Sequence, residues 1–410
     1  MMHKMEGYTN AQVEMIKYIF NHGKVSRSEL AQALNVSSLT VINGVKKLLE
    51  DGVLAECGTL PSERGRRVTL LSVNPELHHF LAVDIGAHAT KLAVIQFDGS
   101  IIYNEQHVNE RRDVWEVYIT PQLLREKIAV LMQKFSNLTF SALCFTISGI
   151  VDFPAKTSRF CSNIQGWNDV DFQKEFGDRF GLPIYLDSSG HCCVMAERQF
   201  GKGKGISDLV FVSAGHSICT GIILGGQLLR GFSGAAGQIG HNVIYGEKQP
   251  NTWRCTCGRR GCLEMHATLP TIRDQVILNY QSQDPDWKLP QADYFTWLRT
   301  DCEAGNEPTI QAIDRAGRIL GQQVANLANL LNPQMIVFGG GTIYTLPRMM
   351  DSIRHEILDK SLSVISKGMG CCFSSFFICF PPGLVCPEKK NKFCQCKIIK
   401  NEEAAGCAAS

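Results

Sequence analysis

No run of about 20 apolar residues occurs in the 410-residue chain, so no segment reads as a helix able to cross a bilayer. The longest apolar stretch, Cys371 to Cys386, is too short and is broken by Pro381 and Pro382. An excess of one charge is also lacking. The chain has 41 Lys and Arg against 39 Asp and Glu, a net of +2, which excludes a protein committed as a whole to nucleic acid or to a membrane surface. Any nucleic-acid contact must therefore come from a local patch. The N-terminus lacks the charged-then-apolar pattern of a secretion signal, and the expected location is the cytoplasm. At 44% hydrophobic and 20% charged, the composition excludes disordered, collagen-like and coiled-coil classes for most of the chain. Cysteine is abundant, at 17 residues, but is not spread as in a small secreted scaffold. Seven cysteines follow residue 370 and three lie between 255 and 262. At roughly 150 residues per domain, two or three domains are expected.

Residues 9 to 72 read as a small unit. Thr9 is placed to cap a helix with Val13, Ile16, Ile19 and Phe20 on one face. Ser26-Arg-Ser-Glu29 has the spacing of a capping box and opens a short helix with Leu30, Ala33 and Leu34. After a turn at Asn35-Val36, Ser37 caps a third helix with Val41, Val45, Leu48 and Leu49 as its apolar stripe, and Gly52 is a good stop. Two short strands follow, joined by a polar segment that contains Gly65-Arg66-Arg67. Three helices and a basic hairpin in this order predict a winged helix-turn-helix. Its third helix would enter a DNA major groove with Ser38, Thr40 and Asn43 toward the bases. Lys46, Lys47, Arg64, Arg66 and Arg67 would meet phosphates, or a wing arginine would enter the minor groove. The plainer alternative is a three-helix protein-interaction module. Residues 1 to 75 carry nine Lys and Arg against seven Asp and Glu, so the unit is only mildly basic and a dimer reading two half-sites is expected.

Beyond Asn74-Pro75 the pattern becomes alternating strands and helices. A strand at Phe80–Ile85, a turn, a strand at Lys91–Phe97 and the hairpin turn Asp98-Gly99 form one unit. A second copy runs from Asp208 through Gly221–Leu224 and Gly225-Gly226 to Arg230. The repetition predicts an internally duplicated α/β protein with a cleft between its halves. A long helix is expected from Pro308 to about Leu331, stopped by Asn332-Pro333, and a strand at Met335–Phe338 runs into Gly339-Gly-Gly341. From Gly370 onward neither a helical nor a strand period is visible.

His241, Cys255-x-Cys257 and Cys262 place one imidazole and three thiols within 22 residues, with Gly258 and Gly261 between the last two cysteines. That donor set suits a closed tetrahedral structural zinc site, which would order the loop that carries His241 and Glu264. The alternative is a group of buried free thiols.

Gly234-Ala-Ala-Gly-Gln-Ile-Gly-His241, followed by Cys255-Thr-Cys-Gly-Arg-Arg-Gly-Cys-Leu-Glu264, resembles the signature of the ROK family of repressors, open reading frames and sugar kinases. With the winged helix in front, the chain resembles the repressor branch of xylose, N-acetylglucosamine and glucose-uptake regulators, over residues 9 to about 365. The resemblance implies a two-lobed, actin-like sugar-kinase fold and a homodimer or tetramer. It also implies that Asn163, His241 and Glu264 contact a sugar and that His241 is shared with the zinc. Gln238 stands where sugar-binding members usually carry Glu, and an amide still bonds to hydroxyls. Taken singly, Asn163 reads better as a turn residue and Glu264 as a solvated helix residue; their shared register with the signature reverses that.

The resemblance places Ser189 where the kinases carry the Asp that accepts the hydroxyl proton, and serine is not a base near pH 7. Asp187, two residues earlier, would need a shifted backbone to replace it. The first phosphate loop, Asp84–Thr90, has Ala87 and His88 where Gly and Thr are usual. The second, Gly215–Gly221, has Ser217 and Cys219 in place of glycines, and side chains there obstruct phosphate. No catalytic residue is therefore assigned. The expected function is a DNA-binding transcriptional regulator of carbohydrate-utilisation genes, acting as a repressor, with a sugar or sugar derivative as effector in a non-catalytic cleft. Two alternatives stand beside it: a ROK-type sugar kinase with an added DNA-binding domain, and a regulator controlled by a protein partner. The expected division is a winged helix over 1–75, a first lobe over 78–190, a second lobe with the zinc loop over 191–368, and an atypical Cys-rich tail over 369–410. In that tail Cys394-x-Cys396 is a lesser metal candidate and Glu402–Ala409 a faint echo of a closing helix.

Overall fold

The structure, a computed structural model, describes residues 7–61, 67–108, 119–244, 254–290 and 294–374. Arg64, Arg66, Cys394, Cys396 and the segment 402–409 lie outside the described residues.

The N-terminal unit runs α1 (Asn10–His22), β1 (Val25–Ser26), α2 (Arg27–Ala33), α3 (Ser38–Glu50), β2 (Leu54–Leu60) and β3 (Val68–Val73), with strand order β1-β3-β2. Local chemistry sets its boundaries. Thr9 and Gln12 cap α1 reciprocally. The Ser26 hydroxyl accepts the Glu29 amide at 3.1 Å, but the Glu29 carboxylate accepts from the Tyr18 hydroxyl instead, so only half of the expected capping box forms. Asn35, at φ 50°, makes the turn between α2 and α3, and Ser37 accepts the Thr40 amide at 3.1 Å. Met15, Ile16, Ile19, Leu30, Val41, Val45, Leu48 and Leu71 fill the centre and are essentially inaccessible. Each such aliphatic side chain contributes about 1.5–3 kcal/mol. This is a winged helix-turn-helix.

The first lobe follows: β4 (His79–Ile85), β5 (Ala89–Gln96), β6 (Ile101–Val108), α4 (Pro121–Lys134), β7 (Phe140–Ile147), β8 (Ile150–Asp152), β9 (Thr157–Phe160), β10 (Val170–Asp171), α5 (Asp178–Phe180) and β11 (Ile184–Ser188). Its sheet has the order β11-β7-β4-β5-β6, with β4, β5 and β6 an antiparallel meander and β7 and β11 parallel to β4. After α6 (Ser189–Phe200) come β12 (Leu209–Ala214), β13 (Ile218–Leu224), β14 (Gln227–Leu228), α7 (Glu264–Ala267), α8 (Leu269–Gln281), α9 (Tyr294–Glu303), α10 (Glu307–Leu331), β15 (Met335–Gly339), α11 (Gly341–Thr345), α12 (Met349–Lys360), α13 (Ser363–Ser366) and β16 (Gly370–Phe373). The second sheet has the order β14-β13-β12-β15-β16, again a meander on one side and two parallel strands on the other. The two sheets share one plan, as the repeated hairpin unit predicted.

That plan corrects one expectation. Gly370–Phe373 is the fifth strand of the second sheet, paired in parallel with β15. Cys371 and Cys372, adjacent in sequence, are both buried. A parallel strand covered on both faces shows no alternation, so its period is invisible in the sequence. The 190/191 division falls inside α6, which packs chiefly on β12 and β13. α6 also joins distant parts. Its N-terminus lies between the lobes, while at its other end Phe200 meets Phe20 edge-on at 5.9 Å and the Gln199 amide donates to Asn21 of α1. Lys204 Nζ, just beyond α6, donates to the Asn21 carbonyl at 2.9 Å.

Candidate functional site

Between the lobes lies a small polar cavity that opens to solvent. Ser148, Gly149, Ser162 and Asn163 line it from the first lobe, and Ser188, Ser189 and Gly190 from the β11–α6 junction. Ser217, Ile218, Cys219 and Thr220 come from β13 and its approach, and Gln238, His241 and Glu264 from the loop that returns to α7. All four sugar candidates, Asn163, Gln238, His241 and Glu264, therefore meet at one cavity.

Glu264 is the buried centre of this group, at 6% exposure. Its carboxylate accepts the Ile218 amide at 2.9 Å and the Asn163 Nδ2–H at 3.2 Å. Burial raises its pKa above the ordinary carboxylate value, against the Ile218 amide, His241 and Asn163, which lower it. Asn163 Oδ1 in turn accepts from the Thr256 hydroxyl at 2.7 Å, so Asn163 ties the first lobe to the cysteine loop and to Glu264 together. Thr256 was not singled out in the sequence; its position between Cys255 and Cys257 was the available signal.

His241, Cys255, Cys257 and Cys262 bring their ligand atoms within 4.8 Å of one another. Cys257 Sγ and Cys262 Sγ are 3.6 Å apart, as are Cys255 Sγ and His241 Nδ1. Sulfurs held at 2.3 Å by tetrahedral zinc would sit about 3.8 Å apart, so the donor set and spacing fit that ion. The bridge Val243–Cys262 and the Leu263 amide on the Asn242 carbonyl, at 2.9 Å, bind the two strands of the loop together. Such a metal would link His241 to the cysteine turn and hold Glu264, two residues after Cys262, in place. Four protein ligands leave no open coordination position.

At the β11–α6 junction, Ser189 lines the cavity and its hydroxyl has no hydrogen-bond partner. Asp187 is turned elsewhere. It pairs with Arg230 Nη2 at 2.7 Å and with His191 Nδ1 at 2.8 Å, and is almost completely buried. Burial alone would raise its pKa; the hydrogen bonds and charges of His191 and Arg230 outweigh that and hold it below the ordinary carboxylate range.

The neighbouring loops are filled with rings. His88, from the β4–β5 turn, stacks on His216, from the β12–β13 turn, with centroids 4.5 Å apart and planes 8° apart. Phe295 of α9 lies against both, at 5.3 and 5.7 Å. Burial, with His88 and Arg273 adding like charge, lowers the His216 pKa from 6.5 to about 3. The Gly215 carbonyl accepts from Thr342 at 3.0 Å, which brings the Gly339-Gly-Gly341 segment to the same place. The stack joins two turns far apart in sequence, and its signal was a histidine within two residues of a glycine in each of the duplicated turns.

The DNA candidates sit apart from the cavity. Ser38, Thr40, Asn43, Lys46 and Lys47 are all exposed on α3, and Arg67 is exposed at the start of β3. The Thr40 hydroxyl is 2.8 Å from that of Ser37 and helps to close the helix cap. No helix among the described residues is long and apolar enough to cross a membrane.

A winged helix-turn-helix carried on a duplicated two-lobed α/β body with a hydroxyl-lined interlobe cavity defines a sugar-kinase-like regulator class. The sequence model of the ROK family matches residues 80–365, and the chain belongs to that family. The xylose repressor of Caldicellulosiruptor bescii is 26% identical over 353 residues, covering 85% of this chain and 87% of the relative. The N-acetylglucosamine repressor of Escherichia coli O157:H7 is 26% identical over 330 residues, covering 79% and 78%. Among solved structures, a ROK family transcriptional regulator described as a homologue of the E. coli MLC protein has a TM-score of 0.71 at 22% identity, covering 90% of this chain and 92% of that one. A ROK family glucokinase from Streptomyces griseus, in complex with glucose and AMPPNP, has a TM-score of 0.56 at 22% identity, covering 68% and 90%. These structures establish the shared fold.

Proposed function

We propose that the protein is a sugar-responsive transcriptional repressor whose cleft binds an uncharged sugar and does not phosphorylate it. The observation that carries this reading is the contrast inside one cleft: a group of polar side chains fit for hydroxyls beside loops closed by the His88–His216–Phe295 stack. Relatives named as sugar repressors that align over most of the chain support it.

Among the described residues the cavity lining is mostly hydroxyls and amides, with the Glu264 carboxylate and the His241 imidazole, and no Lys or Arg. Glu264, Asn163 and Gln238 supply the paired acceptors and donors that vicinal hydroxyls need, whereas among the described residues of the lining a phosphate ester would meet no Lys or Arg. For phosphoryl transfer, Ser189 provides no base, and Asp187 is held by Arg230 and His191. Zinc on His241, Cys255, Cys257 and Cys262 would act as a structural cross-link. DNA is read by α3 through Ser38, Thr40 and Asn43, with Lys46, Lys47 and the wing arginines on phosphates. A homodimer places two winged helices on two half-sites. The sugar alters DNA affinity by binding more tightly to one arrangement of the lobes than to the other.

Thermal-shift screening against neutral sugars and sugar phosphates, followed by DNA retardation with each hit, tests this. The expected result is stabilisation by a neutral sugar that also shifts DNA binding, with no ATP consumption in a coupled assay. Sustained ATP-dependent phosphorylation of that sugar would overturn the non-catalytic assignment.

A further inference from the structure

Two large aliphatic side chains of α3 stand in water. Leu39 is 66% exposed and Ile42 is 52% exposed. A single exposed aliphatic residue on a surface means little. These two are three residues apart on the first turns of the helix and lie outside the buried stripe of Val41, Val45 and Leu48. Asn43 follows Leu39 by four residues, and Lys46 follows Ile42 by four, so the exposed stripe runs from apolar to amide to cation. Its apolar part occupies the N-terminal half of the helix, the half that approaches base edges when a helix-turn-helix enters the major groove. The thymine 5-methyl is the one apolar group that base pairs present in that groove.

We propose that Leu39 and Ile42 read thymine 5-methyl groups and fix, with Asn43 on an adjacent adenine, an A·T-containing core in each half-site. The occupant of this face is duplex DNA. The apolar pair continues into Lys46, whose charge complements the phosphates flanking the groove, and Lys47 and Arg67 are exposed on the same unit. This rests on the DNA-reading function proposed above and adds the base chemistry to which the helix responds.

The test uses the full-length protein. A preferred duplex is selected from a random library, and thymidine is then replaced by deoxyuridine one position at a time, which removes the methyl and keeps the pairing. The expected result is about fourfold weaker binding per methyl at one or two positions of each half-site, the size of one buried methyl group. In the Leu39→Ala, Ile42→Ala double variant that penalty disappears, while the salt dependence set by the phosphate contacts stays the same. Both residues are exposed, so an unchanged melting temperature confirms that the variant is folded, and the uracil series on the unmodified protein stands without it. A selected duplex that tolerates uracil everywhere overturns this proposal alone. So does a variant that keeps the full penalty but changes its sedimentation, which would make the pair a contact between copies of the chain. Failure to select any duplex overturns the DNA-reading function and this proposal with it.

Discussion

The two ends of the interlobe cleft differ in what fills them. At one end Asn163 and Glu264 are oriented by their mutual hydrogen bond and by the bond from Thr256 of the cysteine loop to Asn163, with Gln238 lining the same cavity. At the other, the duplicated turns after β4 and β12 meet through stacked imidazoles and a phenyl ring. A kinase needs both ends at once, because the barrier falls only when acceptor, base and phosphoryl donor are held together. A receptor needs only the first. On the reading proposed here, closing one end with rings removes the chemistry and leaves the recognition, and the two lobes gain an apolar contact where a phosphate chain would have lain.

The strongest way to break this comparison is to remove what holds the polar end alone. Cys262→Ser should take metal content below one ion per chain by elemental analysis. It should cost at least about 3 kcal/mol in denaturant unfolding, because occupancy of such a site is worth on the order of 10 kcal/mol. Sugar binding should vanish with it; a variant that keeps sugar affinity would detach the cluster from the site. Glu264→Gln comes next. Losing a carboxylate acceptor should weaken sugar binding by roughly 10- to 100-fold in calorimetry and leave DNA affinity without sugar unchanged. A change below about threefold would place Glu264 outside the sugar contacts.

The ring-filled end gives smaller effects. His216 titrates near 3 in the fold and near 6.5 when unfolded, so the unfolded chain takes up the proton first as the solution is acidified. Its contribution is complete above pH 6.5 and shrinks as pH falls toward 3. His216→Phe keeps an aromatic ring facing His88 and Phe295 without the proton. It should flatten the acid side of the stability curve by roughly 1–2 kcal/mol between pH 6.5 and 4.5. An unaltered pH profile would show that the imidazole is not held neutral by the stack. The smallest effect is expected from Ser189→Asp, which should leave sugar phosphorylation at background because the rings still occupy the phosphate side. Turnover restored by that single change would mean that the stack is no obstacle.

Much of this was legible because the chemistry sits in short, punctuated segments. The winged helix could be read from Thr9, Ser26, Ser37 and Gly52, which each act within a few residues of chain. The cysteine cluster could be read from the spacing of His241, Cys255, Cys257 and Cys262, whereas the sugar candidates came only from the resemblance of Gly234–His241 and Cys255–Glu264 to the ROK signature. Thr256 was not legible as a partner, because its bond to Asn163 joins residues 93 apart. The His88–His216 stack escaped for the same reason: each turn alone shows only an unusual residue, and the contact exists only when the lobes meet. Gly370–Phe373 escaped because a strand covered on both faces carries no period. The exposure of Leu39 and Ile42 needed the helix's neighbours before it meant anything.

α6 connects the cavity to the winged helix in a single element. The helix has 12 residues and is therefore about 18 Å long, with Ser189 and Gly190 in the cavity wall at its start and Gln199 and Phe200 against α1 at its end. A stiff rod of that length pivoting by about 3° carries its far tip by about 1 Å. On the proposed reading, a sugar hydroxyl that pulls on Ser189 would act on the winged helix through leverage, with no chain of side chains having to change places between them.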